Sequence, residues 1–333
     1  MSAKAKVLPL LLSLCAAASA NEVEREGNIN GVLSLYGAFN LAPSSASDSA
    51  FVLSMAKLEL GGRYRWVHAD VQGLYGRIAD DMYAADPAHD RALARGFSYF
   101  EQMIVGVKLP VGTGLTVDAG KFVTPVGIEV LESGRDWNTS RSLLFDKAEP
   151  MTHFGVQASY DFSDRLNLTG YWCNGENTVV QNGSTMRTGG LQATWKPLAR
   201  LSFSLGWLGG LDPHGMRNLV NFWAKLQLTR SLSMGLASDF GGDADGAVWG
   251  GAALYARYAF YSWLALAARG EVFGDPRGRA TGAPQDLAEG TLTLEGRHQF
   301  WSRVTGLARL EYRHDHSILG DKDTLFAAMV TLF

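Results

Sequence analysis

The sequence has few cysteines and no long apolar run beyond its N-terminal segment. Only Cys15 and Cys173 occur among its 333 residues. No later apolar run approaches the roughly 18 residues that a membrane-spanning helix requires. These absences exclude a bundle of membrane helices and a disulfide-rich secreted scaffold. The mean hydropathy of −0.03 is also what a strand-based membrane protein gives, because half of each strand faces water.

The sequence also lacks an excess of charge of either sign. Its formal net charge is −3 and charged residues make up 19% of the chain, so the sequence predicts no nucleic-acid partner. Proline is scarce at 10 residues, whereas glycine, with 38 residues, and aromatic residues, at 11%, are abundant. Because no linker or break in composition is visible, we expect a single domain over residues 21–333.

The N-terminus has the features of an export signal. Two lysines precede an apolar stretch, and residues 18–20 form an A-x-A cleavage site. We therefore expect residues 1–20 to be a cleaved signal peptide and the mature chain to begin at Asn21. The loss of Cys15 leaves Cys173 as the only cysteine of the mature chain.

The hydrophobic pattern has a period of two almost everywhere, and no stretch has a convincing helical period. Residues 152–162 are the clearest example, because polar residues occupy the odd positions and apolar residues most of the even ones. We count sixteen such segments, each about as long as a tilted strand that crosses a membrane. They are 29–40, 51–61, 64–76, 97–109, 115–122, 152–162, 166–174, 187–196, 200–209, 218–228, 231–240, 247–260, 263–273, 289–300, 304–316 and 324–333.

The connections between these segments alternate between short and long. Short turns on one side and longer loops on the other are typical of an outer-membrane β-barrel, whose turns are periplasmic and whose loops are extracellular. The sequence therefore predicts an all-β, antiparallel transmembrane barrel of about 16 strands, with both termini on the periplasmic side. The last residue, Phe333, is an aromatic that we expect to complete the closing strand at the membrane interface.

A secreted β-sandwich or propeller is the alternative, since it also has alternating strands. Tyrosines, tryptophans and phenylalanines near the predicted strand ends favour the barrel, where such rings form girdles at the two interfaces. Glu101 falls on the lipid-facing side of its strand, which predicts a β-bulge or a slipped register there.

The longest predicted connection, the third outer loop at 123–151, is rich in charge. Loops of this length are usually functional. It contains five acidic and three basic residues, which are the candidate pore-constricting residues Glu129, Glu132, Arg135, Asp136, Arg141, Asp146, Lys147 and Glu149.

Residues 120–155 resemble the signature stretch of a known family, the OmpL-like β-barrel porin-2 proteins. The resemblance rests on Gly120-Lys121-Phe122, Pro125, Gly127, Glu129, Asn138, Ser140-Arg141-Ser142, Pro150, His153 and Gly155. It implies an outer-membrane porin of a Gram-negative bacterium. By analogy with general porins it also implies that the third loop folds into the lumen as a constriction; the alternative is a loop that caps the extracellular mouth.

The predicted inner wall opposite the loop is rich in arginine. Strands twelve to fifteen carry five inward arginines against three inward glutamates, and these wall arginines are Arg257, Arg269, Arg297, Arg309 and Arg313. An acidic loop facing a basic wall would create a transverse field across the pore. The alternative is that these charges pair across strands. Because inward charges nearly cancel, we predict no strong ion preference.

The sequence indicates no catalytic, metal or cofactor site. Residues 241–246 lack the third acid and the closing glutamate of a calcium loop, and His314 and His316 have no third ligand nearby. Ser140 with His153 is the one pairing that could support catalysis, and nothing in the sequence indicates that they are close.

Three functions therefore stay open. The first is a diffusion porin for small hydrophilic solutes in the outer-membrane bilayer. The second is a substrate-selective channel with an internal binding site, which an inward aromatic track would favour, and the third is a non-conducting barrel that acts as an adhesin or an enzyme. A homo-oligomer is compatible with the sequence, which does not distinguish a monomer from a trimer. Trp66, Phe100, Trp223, Trp249, Tyr255 and Phe273 are the aromatic residues with inward parity.

Overall fold

Alternation of apolar and polar residues produces strands that bury one face, and sixteen strands form in the part of the chain that the structure describes. The computed structural model describes residues 25–40, 50–180, 187–212 and 215–333. The expected signal peptide at 1–20 and the cleavage before Asn21 lie outside these residues. The strands are β1 (Arg25–Asn40), β2 (Ala50–Tyr64), β3 (Val67–Tyr75), β4 (Phe100–Leu109), β5 (Leu115–Val123), β6 (Thr152–Ser163), β7 (Leu166–Cys173), β8 (Thr188–Leu198), β9 (Leu201–Asp212), β10 (Gly215–Gln227), β11 (Leu232–Asp243), β12 (Val248–Tyr261), β13 (Leu264–Asp275), β14 (Gln285–Trp301), β15 (Val304–Ser317) and β16 (Gly320–Leu332).

Every strand pairs with its neighbours in sequence, and β1 pairs with β16 in an antiparallel register, which closes the barrel. At this seam the backbone N–H of Phe333 donates to the carbonyl of Gly31 at 3.0 Å, and the Gly31 N–H donates back at 2.8 Å. The Phe333 ring covers Gly31 so closely that a Cβ there would lie 2.1 Å from it. The predicted barrel of about 16 strands is confirmed.

Exposure alternates along the strands as the sequence pattern predicts. On β9, Trp207 is 40% exposed on the outer surface, whereas Ser204 is fully buried and donates to the Ala193 carbonyl. Most of the aromatic residues expected at strand ends are exposed, including Tyr75, Tyr99, Phe162, Trp172, Trp195, Tyr258 and Phe260.

Glu101 lies in a break of register, as its parity predicted. Gln72 pairs with Gln102 and Gly73 pairs with Phe100, so Glu101 is the extra residue of β4. The bulge turns its side chain away from lipid, and Glu101 is only 3% exposed.

The expectation of no helix is wrong for the outer loops. The second outer loop, 76–99, contains α1 (Arg77–Ala85) and α2 (Ala92–Phe97). The third, 124–151, contains a 3-10 turn (Ser133–Arg135) and α3 (Leu143–Lys147). These helices are too short for a period of 3.6 residues to stand out in the sequence. Among the described residues, no helix is long and apolar enough to cross a membrane.

Two apolar clusters join the loops to the barrel wall. The first, here the third-loop core, packs Ile128, Leu143 and Leu144 of the loop against wall residues that include Trp249 and Phe273. The second, here the two-loop core, contains Ile78, Ala79 and Met82 of α1, Leu131 and Phe145 of the third loop, and Val32, Met55, Leu74, Leu307 and Val330 of five strands. Burial of this apolar surface ties both loops to the wall.

Candidate functional site: the third loop and the pore wall

The backbone of the third loop is hydrogen-bonded to carboxylates of the wall. Glu311 on β15 accepts from the N–H of Ser140 at 2.8 Å and also from that of Thr139. Glu271 on β13 accepts from the N–H of Leu143 at 2.7 Å. These contacts join residues that are more than 120 positions apart in the sequence, so they define the path of the loop relative to the barrel.

Three of the five predicted wall arginines also contact the loop. Arg269 donates to the Glu129 carboxylate at 2.8 Å and to the Ser140 carbonyl at 2.8 Å. Arg309 donates to the Asp136 carbonyl at 2.6 Å, and Arg313 donates to the carbonyl of Arg141. Guanidinium groups suit this role because several N–H donors can bind carboxylates and carbonyls at once.

The same arginines are paired with acids of the wall itself. Arg269 binds Glu289 at 2.7 Å, and Arg309 binds Glu295 at 2.7 Å. Arg257 and Arg297 form ion pairs with Glu295, at 2.9 and 3.6 Å. Loop and wall are therefore in direct contact here. The arrangement agrees with charge pairing across strands rather than with an open gap between an acidic loop and a basic wall.

A buried ion cluster holds the opposite edge of the loop. Lys57 on β2 lies 2.7 Å from Glu101 and also binds Glu132 of the loop. The side chains of all three residues are at most 5% exposed. Glu132 is paired in addition with Arg135, whose side chain is 61% exposed. Because the bulge in β4 turns Glu101 inward, it creates one of the two acceptors for Lys57.

Asp136 and Arg141 form an ion pair within the loop. The Arg141 guanidinium also lies 4.6 Å from the centre of the Phe145 ring, a cation–π contact. Burial raises the pKa of the Asp136 carboxyl, although Arg141 opposes the rise. As the pH falls, this ion pair therefore weakens earlier than one made by an ordinary aspartate.

A cavity of about 750 Å³ adjoins the loop on the side away from β13 and β14. Four of the eight predicted loop residues line it: Arg141, Asp146, Lys147 and Glu149. The rest of the lining comes from other third-loop residues, from α1, from inward residues of β1, β2, β15 and β16, and from Asn177. Asp146 and Lys147 are exposed, so their charges can reach a solute in this space.

A second cavity, of about 550 Å³, lies toward the periplasmic turns. Its lining carries four basic residues and one acid, namely Arg165, Lys196, Arg200, Lys225 and Asp164. Trp137 of the third loop borders it, so the loop has a cavity on each side.

Other candidates from the sequence have different partners. Ser140 contacts Arg269, whereas His153 contacts Thr124 at 3.1 Å and the Cys173 sulfur at 3.5 Å. In the 241–246 turn, Asp243 forms an ion pair with Arg279 at 2.7 Å. Within the described residues, no group of three or more His, Cys, Asp or Glu side chains could hold a metal ion.

Comparison with known protein families identifies the chain. The family model described as "putative beta-barrel porin-2, OmpL-like" matches residues 27–330. The chain belongs to this family of outer-membrane porins. The match extends the resemblance at residues 120–155 to nearly the whole barrel. No curated protein matches the chain in sequence.

Solved structures share its fold at low sequence identity. A loop L8 deletion mutant of OmpT, an outer membrane protein of Vibrio cholerae, has a TM-score of 0.66 and 12% identity, over 93% of this chain and 99% of that one. An anion-selective porin from Comamonas acidovorans gives 0.62 and 13%, over 93% and 100%. OprB of Pseudomonas putida gives 0.58 and 13%, over 92% and 93%.

Two features of this porin's interior were missed from the sequence. The Lys57–Glu101–Glu132 cluster was not predicted, although the wrong parity of Glu101 was a signal that it turns inward. The contribution of α1 to the cavity was also missed, since no stretch of the sequence has a convincing helical period. Trp66, expected to face inward, lies in the β2–β3 turn and is 55% exposed.

Proposed function

We propose that this porin is a passive diffusion channel for small hydrophilic solutes and that its third outer loop forms the constriction. The observation that supports the proposal most is a set of hydrogen bonds between the loop backbone and the wall. Glu271 and Glu311 accept them from loop N–H groups, and Arg269 donates them to loop carbonyls. They hold the loop against inward side chains of the wall, beside a water-accessible cavity.

The energetics favour a loop that keeps one position. Hydrogen bonds to charged groups contribute about 1.5–3 kcal/mol each. Loss of a loop contact would leave buried carboxylates and guanidinium groups unpaired, which costs more than an ordinary hydrogen bond. A fixed loop gives a pore of constant width, as passive diffusion requires.

The charges around the 750 Å³ cavity support transport of polar solutes without strong ion selectivity. The lining contains five basic and four acidic residues, which are Arg77, Arg141, Lys147, Arg313, Lys322, Asp81, Asp146, Glu149 and Asp315. Selectivity follows the charge that lines the narrowest part of a pore. A nearly balanced lining favours polar over apolar solutes and discriminates weakly between anions and cations.

A substrate-selective channel is the alternative. An aromatic track along the lumen would support such a channel. This support is weak because Trp249, Tyr255 and Phe273 are at most 6% exposed and pack in the third-loop core. A non-conducting adhesin or enzyme would give no channels at all. The oligomeric state stays a prediction, which light scattering of the purified protein can determine.

Deletion of residues 133–146 tests the constriction. Single-channel conductance in lipid bilayers should rise, because a wider passage holds more ions. A control deletion of residues 318–319, the tip of the β15–β16 outer loop, where Ile318 is 64% and Leu319 91% exposed, should leave conductance unchanged. Unchanged conductance in a folded 133–146 deletion would contradict the constriction, and an absence of channels in the unaltered protein would contradict the porin function.

A further inference from the structure

Helix α1 of the second outer loop is amphipathic, and one side of it packs against the third loop. Ile78, Ala79 and Met82 are 8%, 3% and 4% exposed and belong to the two-loop core. In that core they meet Leu131 and Phe145 of the third loop. The two loops therefore share one apolar core inside the barrel.

The other side of α1 borders the cavity that the third loop also borders. Arg77, Asp81, Ala84 and Ala85 line the 750 Å³ space, and their spacing places these four residues on one face of the helix. Ile78 also borders the space, as do Arg141, Asp146 and Lys147 of the third loop. Arg77 Nε and Asp81 Oδ1 form an ion pair at 2.8 Å, and both side chains are about half exposed.

Both ends of α1 are fixed. Gly76 precedes the helix with φ +113, and a Cβ there would lie 2.7 Å from the carbonyl oxygen of Leu53 on β2. At the other end, Asp86 accepts hydrogen bonds from the N–H groups of Ala88 at 2.7 Å and Val179 at 3.2 Å. The helix is thus tied to the wall and to the β7–β8 loop, which keeps its charged face at the cavity.

We propose that α1 forms the second lip of the pore, beside the third loop, and that Arg77 and Asp81 help to set its charge selectivity. The proposal rests on the proposed porin function. Since the two charges oppose each other, the intact pair contributes little net selectivity. Removal of either charge exposes the other to permeating ions.

Charge substitutions test the role of the pair. Asp81→Asn should raise the anion-to-cation permeability ratio about two-fold. This is roughly the effect of one elementary charge on the concentration of an ion that lies several ångströms away in water. Arg77→Gln should lower the ratio by a similar factor. Asp80→Asn, at an exposed position of the same helix that does not line the cavity, is the matched control and should leave the ratio unchanged. Equal shifts for Asp80→Asn and Asp81→Asn, or no shift for Asp81→Asn and Arg77→Gln, would overturn the assignment.

A blocking experiment tests the position of the lip without relying on charge. In a Cys173→Ser background, Ala84→Cys should react with a bulky, neutral, water-soluble thiol reagent. The modified channel should conduct at most about half as much as the unmodified channel, because the reagent partly fills the narrowest part of the pore. Leu93→Cys, on α2 and 59% exposed before substitution, should be modified without a change in conductance. Full conductance after complete modification at position 84, verified by mass spectrometry, would refute the second lip and leave the third-loop constriction untouched.

Discussion

The two sides of the third loop differ in how they use charge. On the side of β13 and β14, Arg269 and Glu271 have fully buried side chains that bind loop and wall groups at short distances. On the other side, Asp146 and Lys147 are exposed to a 750 Å³ cavity. Charged residues are abundant on both sides. On the first side, here the held side, they position the loop, and on the second, here the open side, they are in contact with water.

This difference shows that inward charge in a barrel has two separate roles. A buried charge that is fully paired contributes to stability and geometry but little to the field in the pore. An exposed charge contributes little to stability but changes the local concentration of ions. Substitutions on the two sides should therefore separate stability from selectivity.

The largest effect is expected on the held side, for Arg269→Ala. The substitution leaves the buried Glu129 carboxylate without its guanidinium partner and Glu289 with only Arg313, at 3.5 Å, which should lower the free energy of unfolding by about 3–5 kcal/mol. Denaturant titration of the detergent-solubilised barrel, followed by tryptophan fluorescence, measures this loss. Arg297→Ala is the matched control, because the Arg297 side chain is 47% exposed, and it should cost less than about 1 kcal/mol. Similar losses for the two variants would remove the distinction between held and exposed arginines.

Lys57→Met should have the next largest effect. It leaves the buried Glu101 without its cation, beside a Glu132 that keeps only the exposed Arg135, and we expect a loss of about 3 kcal/mol in the free energy of unfolding. Freed from this contact, the edge of the loop should also move more, which single-channel recordings would register as increased open-channel noise. Lys108→Met, at an exposed position on β4, is the control. A quiet channel with normal stability in Lys57→Met would mean that this cluster does not hold the loop.

Deletion of Phe333 should have a smaller effect. This residue lies at the seam between β1 and β16, next to the open side. It removes two backbone hydrogen bonds with Gly31, which contribute on the order of 1 kcal/mol each. The fraction of heat-modifiable barrel recovered from the outer membrane should fall, while the conductance of assembled channels stays normal. Normal recovery after the deletion would show that closure does not depend on the terminal residue.

The smallest effect on stability is expected on the open side, for Lys147→Gln. Because Lys147 is exposed, the substitution should change the free energy of unfolding of the protein by less than about 0.5 kcal/mol. The permeability ratio should nevertheless shift toward cations by about two-fold, since one positive charge is lost from the cavity. Arg95→Gln, at an exposed position of α2, should change neither quantity. A stability loss without a selectivity shift in Lys147→Gln would place this residue on the held side of the comparison.

The sequence by itself determined the barrel. A period of two gives strands, the alternation of short and long connections gives their direction, and parity gives the side that most strand residues face. Parity even located the bulge at Glu101, because an acidic residue on the lipid face requires a change of register. These features depend on residues close together in the chain, where the geometry of a strand relates position directly to orientation.

Only the tertiary structure decided which inward charges meet. Parity places Arg257, Arg269 and Arg297 on the same inner surface, yet Arg269 binds the third loop and the other two pair with Glu295. Which partner each arginine binds depends on the height of the residue along the barrel and on the path of the third loop. This loop contacts strands up to 175 positions away in the sequence. The short helix α1 and its apolar contact with the third loop likewise depend on burial against distant strands. Such contacts follow from three-dimensional packing, which no local period in the sequence encodes.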